Sequence, residues 1–122
     1  MAGKKKILIA EDEKPMAKAL ELKLNNSGYE AKAVFDGVEA VEALEQDKYD
    51  LMLLDLMMPK KDGFGVLEDM KAKKIKVPVI VSTNLSQDAD IERAKKLGAK
   101  DYFVKSDTPI TGVIEHIQKI LG

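Results

Sequence analysis

Four apolar runs in this chain end abruptly in reactive side chains. Ile7-Leu8-Ile9-Ala10 leads into Glu11-Asp12, Leu51 to Leu54 into Asp55, Val79-Ile80-Val81 into Ser82-Thr83, and Asp101 to Val104 into Lys105. If the runs are strands of one sheet pointing the same way, these groups share one rim. Three crowded carboxylates repel one another, and a divalent cation is the usual relief. Mg²⁺ fits that donor set, because it takes oxygen ligands and keeps waters that a phosphate oxygen can displace. A lysine beside it adds a point charge for phosphate oxygens. One acidic residue at a strand end is ordinarily a turn former or a helix cap, and Thr83 alone would read as a cap. The specificity lies in their coincidence.

The elements that must position these groups follow from the hydrophobic pattern. Lys6 to Ala10, Glu30 to Phe35, Asp50 to Leu54, Val77 to Ser82 and Asp101 to Val104 read as strands. Between them lie segments of helical period: Pro15 to Asn26, one from Asp36 carrying Val38, Val41 and Leu44 inward, and Phe64 to Lys73. A fourth helix is capped by Ser86 and ends at Leu97-Gly98, and a fifth opens at Thr108-Pro109 and runs to Leu121. Asp36 and Glu39 have capping-box spacing. Strands that are apolar along their whole length are covered on both faces. Strict alternation with helices then gives an α/β, doubly wound parallel sheet of five strands.

Composition narrows the function classes. The 122 residues suit one domain, 1–122, and 45% hydrophobic with 34% charged residues describes an ordinary globular chain. Twenty basic and 21 acidic residues leave a net charge of -1, so no global attraction to nucleic acid or anionic membrane is expected. The absence of cysteine excludes disulfides, thiolate metal sites and thiol catalysis. No stretch approaches transmembrane length, and the apolar run after Lys4-Lys5-Lys6 is too short for a secretory leader. A cytoplasmic protein is expected, with no membrane insertion.

The sequence resembles a response-regulator receiver domain over nearly its whole length. The residues carrying the resemblance are Ile7 to Glu13, Leu53 to Gly63 (LLDLMMPKKDG), Val77 to Thr83 and Leu97 to Lys105 (LGAKDYFVK). The resemblance implies a flavodoxin-like fold with strand order 2-1-3-4-5. It implies that Asp55 accepts a phosphoryl group from a histidine kinase or a histidine phosphotransfer domain. Asp12, Asp55 and the backbone carbonyl of Met57 would ligate Mg²⁺, with Glu11 holding a metal-bound water. Lys105 would pair with phosphoryl oxygens and Thr83 would bond to the phosphorylated aspartate. Thr83 and Tyr102 would act as switch residues, remodelling the surface of helix four, strand five and helix five toward an unknown protein target. That surface is also a possible homodimer face.

Three places depart from the family pattern. Ser106 follows Lys105 where proline is usual, so the bond between them is either trans or, at a cost of about 2.5–4 kcal/mol, a cis exception. Asn84 follows Thr83 where a small residue is usual; it either narrows access to Asp55 or adds a hydrogen bond to the phosphoryl group. Met57 and Leu85 are apolar where water reaches the acyl phosphate, which predicts slow self-dephosphorylation. His116, the single histidine, reads as a surface or packing residue without an acidic partner. Two other functions compete. A haloacid-dehalogenase-type phosphotransferase needs an acid two residues after its nucleophile, and that place is Met57. A degenerate receiver serving only as a protein-binding module would lack one of Glu11, Asp12, Asp55, Thr83 or Lys105, and all are present. The chain is expected to catalyse only its own phosphorylation and dephosphorylation.

Overall fold

A computed structural model describes residues 3–84 and 88–121. Five parallel strands, β1 (Lys6–Ala10), β2 (Glu30–Val34), β3 (Leu51–Asp55), β4 (Val79–Thr83) and β5 (Asp101–Val104), form one sheet in the order β2-β1-β3-β4-β5. Helices α1 (Lys14–Asn26), α2 (Gly37–Gln46), α3 (Gly63–Ala72), α4 (Asp88–Lys96) and α5 (Ile110–Leu121) join them, and a short 3₁₀ turn spans Lys105–Asp107. This is the doubly wound parallel sheet that the pattern predicts, in the flavodoxin-like order that the resemblance implies.

Side chains alternate across a strand, so the sheet divides its own residues between two cores. Ile7, Ile9, Leu51, Leu53, Ile80 and Phe103 pack with Leu20 and Leu24 of α1 and Val113, Ile114 and Ile117 of α5. Leu8, Ala10, Met52, Leu54, Val79 and Val81 pack with α2, α3 and Ala94 of α4 on the other face. Every residue of β3 and β4 is buried, which explains why those runs show no alternation.

Local differences from expectation have simple causes. Val38 is exposed, while Ala40, Val41, Ala43 and Leu44 face inward. A spacing of three residues falls 60° short of a full turn each time, so the first member of Val38, Val41, Leu44 rotates out. The Asp36 cap forms as expected: its Oδ1 accepts from the Glu39 N–H at 2.8 Å, while Glu39 Oε1 accepts from the Phe35 N–H. Strand β4 begins at Val79 and not Val77, because Pro78 has no N–H to give the ladder; its carbonyl still accepts from the Met52 N–H. Gly98 takes φ +114 beyond α4, the left-handed stop expected there. Ser86, expected to cap α4, and Leu85 lie outside the described residues.

Candidate functional site

The carboxyl ends of β1, β3, β4 and β5 bring the sequence-selected residues to one rim. Glu11 follows β1 directly, and its N–H reaches the Val34 carbonyl at 3.1 Å, extending the ladder one step and holding its side chain inward. Glu11 is 2% exposed and Asp55, the last residue of β3, is 3% exposed, whereas Asp12 points to solvent. Asp55 pairs in register with Ser82, and the fully buried Thr83 pairs with Val104. Lys105 leaves β5 into the 3₁₀ turn and directs its amine back to Asp55 at the end of β3.

That amine is the centre of the site. Lys105 Nζ lies 2.5 Å from Glu11 Oε1, 3.0 Å from Asp55 Oδ2 and 3.8 Å from Glu13 Oε1, with its side chain almost wholly buried. The other oxygen of Asp55, Oδ1, accepts from the Met57 N–H at 3.0 Å. Carboxylate oxygens of Glu11, Asp12 and Asp55 all lie within 4.8 Å of one another. Above them is a cavity of about 330 Å³ lined by Asp12, Glu13, Asp55, Met57, Asn84 and Lys105.

The electrostatics are those of crowded acids. Burial pushes the Asp55 carboxyl up to about 7, with the Glu11 charge adding to the rise; the Met57 N–H and Lys105 pull the other way. Burial alone would lower Lys105, but its hydrogen bonds to Glu11 and Asp55 outweigh that and hold it above the ordinary lysine value. Once Asp55 is ionised, three carboxylates against one ammonium leave two negative charges unbalanced. An all-oxygen donor set with that deficit fits a hard divalent cation such as Mg²⁺.

The loop after Asp55 is built to a fixed shape. The Gly63 N–H closes back on the Leu56 carbonyl at 3.0 Å. A Cβ on Gly63 would stand 2.6 Å from the Asp55 carbonyl oxygen, so only glycine lets α3 start against the end of β3. Lys60 adopts φ +67 between a Pro59 carbonyl and a Lys61 N–H that meet at 2.7 Å, a tight three-residue turn. Lys60 pairs with Asp36 at 3.5 Å and Lys61 with Asp69 at 2.5 Å, tying the loop to the start of α2 and to α3.

The remaining expectations divide. Met57, with 61% of its surface exposed, stands at the cavity mouth. Tyr102 is half-buried on β5, with the Lys95 ammonium 5.3 Å from its ring centre. No cis peptide occurs among the described residues, so the Lys105–Ser106 bond is trans. His116 corrects an expectation: it has an acidic partner, Asp101, whose Oδ2 lies 2.6 Å from its Nδ1, and its ring lies 5.5 Å from that of Phe103. Fifteen residues separate that pair in sequence, and only the packing of α5 on β5 joins them. Glu13 was not singled out as a site residue, although a third acid in the Glu11-Asp12-Glu13 run was the available signal.

Known proteins resemble this chain in sequence and fold. Residues 7–114 match the response regulator receiver domain family. A probable transcriptional regulator, ycf27, of Porphyridium aerugineum is 41% identical over 106 residues, 87% of this chain and 44% of that protein. The chain thus spans less than half of that relative's length. Among solved structures, the signal receiver domain of a signal transduction histidine kinase from Syntrophus aciditrophicus superposes with a TM-score of 0.84 at 33% identity, covering 98% of this chain and 90% of that one. The receiver domain of the sensor histidine kinase PA1611 of Pseudomonas aeruginosa superposes at 0.86 with 29% identity over 99% of both chains, and holds a magnesium ion in its active site cleft. Sequence, sheet order and acidic rim agree: this chain belongs to the response regulator receiver domain family.

Proposed function

We propose that this protein is a phospho-acceptor switch in two-component signalling, taking a phosphoryl group from a histidine kinase or histidine phosphotransfer domain onto Asp55. One observation carries the reading: Asp55 is buried at a strand end between an acidic pair and a lysine amine, yet opens onto a cavity with room for a phosphoryl group. In the transfer, an Asp55 carboxylate oxygen forms the new O–P bond as the N–P bond of the donor histidine breaks, and the imidazole keeps the electron pair. Such transfers need positioning and neutralisation of the equatorial oxygens more than covalent help from the protein.

Asp12, Asp55 and the Met57 carbonyl are the residues suited to hold Mg²⁺ directly, with Glu11 on a bound water. The ion, when bound, supplies charge neutralisation for the phosphoryl oxygens. Lys105 then leaves Glu11 for those oxygens, and the Thr83 hydroxyl bonds to the modified aspartate. These new contacts bias the surface of α4, β5 and α5, with Tyr102 turning from beneath Lys95, toward a form that a downstream protein recognises. The chain acts as an enzyme only on itself, in the cytoplasm, through protein partners and not by direct contact with nucleic acid. Among the described residues no helix is long and apolar enough to cross a membrane, in keeping with that setting.

The test is incubation with Mg²⁺ and acetyl phosphate, comparing wild type with Asp55→Ala by phosphate-affinity electrophoresis. Wild type should shift and the variant should not. An unlabelled wild type would leave only a protein-binding module.

A further inference from the structure

Asn84, which lines the cavity, and Ser106, the residue after Lys105, touch each other. Asn84 follows Thr83 at the end of β4, and Ser106 follows Lys105 beyond β5. The backbone ladder between these strands ends at the Thr83–Val104 pair. One step further, the Ser106 N–H donates to Asn84 Oδ1 at 3.2 Å, so a side chain continues the pairing where the backbone stops. Ser106 sits in the first turn of the 3₁₀ segment Lys105–Asp107. The early N–H groups of a helix have no partner within it, and Asn84 supplies one from a neighbouring loop.

This contact decides which end of the Asn84 amide is spoken for. The carbonyl oxygen is committed to Ser106, and an amide nitrogen would find no acceptor in that N–H. Asn84 also lines the cavity over Asp55 and Lys105. With that oxygen turned to Ser106, the end of the amide left for an occupant is the NH₂ group, which donates and cannot accept. An oxygen facing the cavity would repel a phosphoryl oxygen; an NH₂ group binds one.

We infer that Asn84 is a phosphoryl-binding residue of this protein, its amide oriented by the Ser106 N–H so that Nδ2 donates to an oxygen of the group on Asp55. The inference rests on Asp55 being the phospho-acceptor. Asn84 works beside Lys105, adding a neutral donor from β4 to the cationic one from β5. Because its oxygen is tied to the residue after Lys105, the same contact joins the loops that carry the two donors.

Beryllofluoride with Mg²⁺, a mimic of the phosphoryl group, provides the test on the full chain. Wild type, Asn84→Asp and Asn84→Ala are titrated and followed by ¹H–¹⁵N NMR, including the side-chain amide of Asn84 and the backbone amide of Ser106. In wild type the Asn84 NH₂ resonances should shift and gain protection from exchange on binding. Asn84→Asp keeps an oxygen for Ser106 but loses both donors, so its Ser106 amide should stay protected while binding weakens about tenfold or more. Asn84→Ala loses both contacts; its Ser106 amide should exchange faster, with binding weakened less than in Asn84→Asp. Unchanged Asn84 NH₂ resonances, or equal affinity in Asn84→Asp and wild type, overturns the inference. A wild type that binds no beryllofluoride at all defeats the phospho-acceptor reading as well, so the two failures are told apart.

Discussion

Lys105 Nζ donates to Asp55 Oδ2 across 3.0 Å, joining the ends of β5 and β3 over the intervening strand β4. The bond crosses fifty positions of sequence, and the same amine holds Glu11. Lys105 therefore occupies, in the resting protein, much of the role that a cation would take among the carboxylates.

Removing that amine should separate stability from metal binding. Lys105→Ala leaves Asp55 and Glu11 buried without a counter-charge, a loss of about 3 kcal/mol at pH 8 by the usual cost of breaking a buried pair. The same change removes a positive charge that competes with Mg²⁺, so Mg²⁺ should bind the variant more tightly. Urea unfolding in chelator and Mg²⁺ titration of the folded variant check both halves. Weaker Mg²⁺ binding would contradict the competition.

The pH dependence follows from Asp55. Its carboxyl titrates at about 7 in the folded protein against 3.8 for an unperturbed one. The folded state thus holds the extra proton between those values, and stability falls as pH rises through the window. Metal-free wild type should lose stability relative to Asp55→Asn from pH 4 to 7. Mg²⁺ should recover more of it at pH 8 than at pH 5. A stability difference between the two proteins that stays flat with pH refutes this.

Met57 concerns lifetime. Its exposed, apolar side chain stands at the mouth of the cavity and offers water no hydrogen bond. Met57→Asn should shorten the life of the acyl phosphate by about tenfold, less than a full general base supplies. The decay of phosphorylated protein after removal of the donor measures this, and an unchanged half-life rules out water exclusion at that residue.

The turn at Lys60 stores strain. A non-glycine residue at φ +67 costs about 1 kcal/mol, and glycine adopts it freely. Lys60→Gly also gives up the exposed ion pair with Asp36, a small loss. A net gain of up to about 1 kcal/mol in urea unfolding is expected, whereas Lys60→Pro, confined to negative φ, should destabilise.

Much of this was legible in the sequence, for identifiable reasons. Asp55 and Lys105 stand out because Leu51 to Leu54 of β3 and Tyr102 to Val104 of β5 are runs that those residues break, and such a break is a local signal. The doubly wound sheet followed from alternation and handedness, and its strand order from the family resemblance. What the sequence hid were contacts between distant segments. Asn84 and Ser106 were each visible as departures, but nothing local said that one satisfies the other's N–H. His116 read as lacking an acid because Asp101 belongs to a different element. Val38 misled because a spacing of three mimics a helical stripe over one step, Val41 to Leu44, and leaves it over two.

Gly63 has a consequence for how this site varies. With its N–H fixed to Leu56 and no room for a Cβ beside Asp55, the segment from acceptor to helix is a closed ring of set circumference. Inserting or deleting a residue would open the ring or drive α3 off the sheet. Changes in the speed or selectivity of the chemistry must then enter by exchange of side chains at constant length, with Met57, exposed at the cavity mouth, the apolar member of that ring placed to make them.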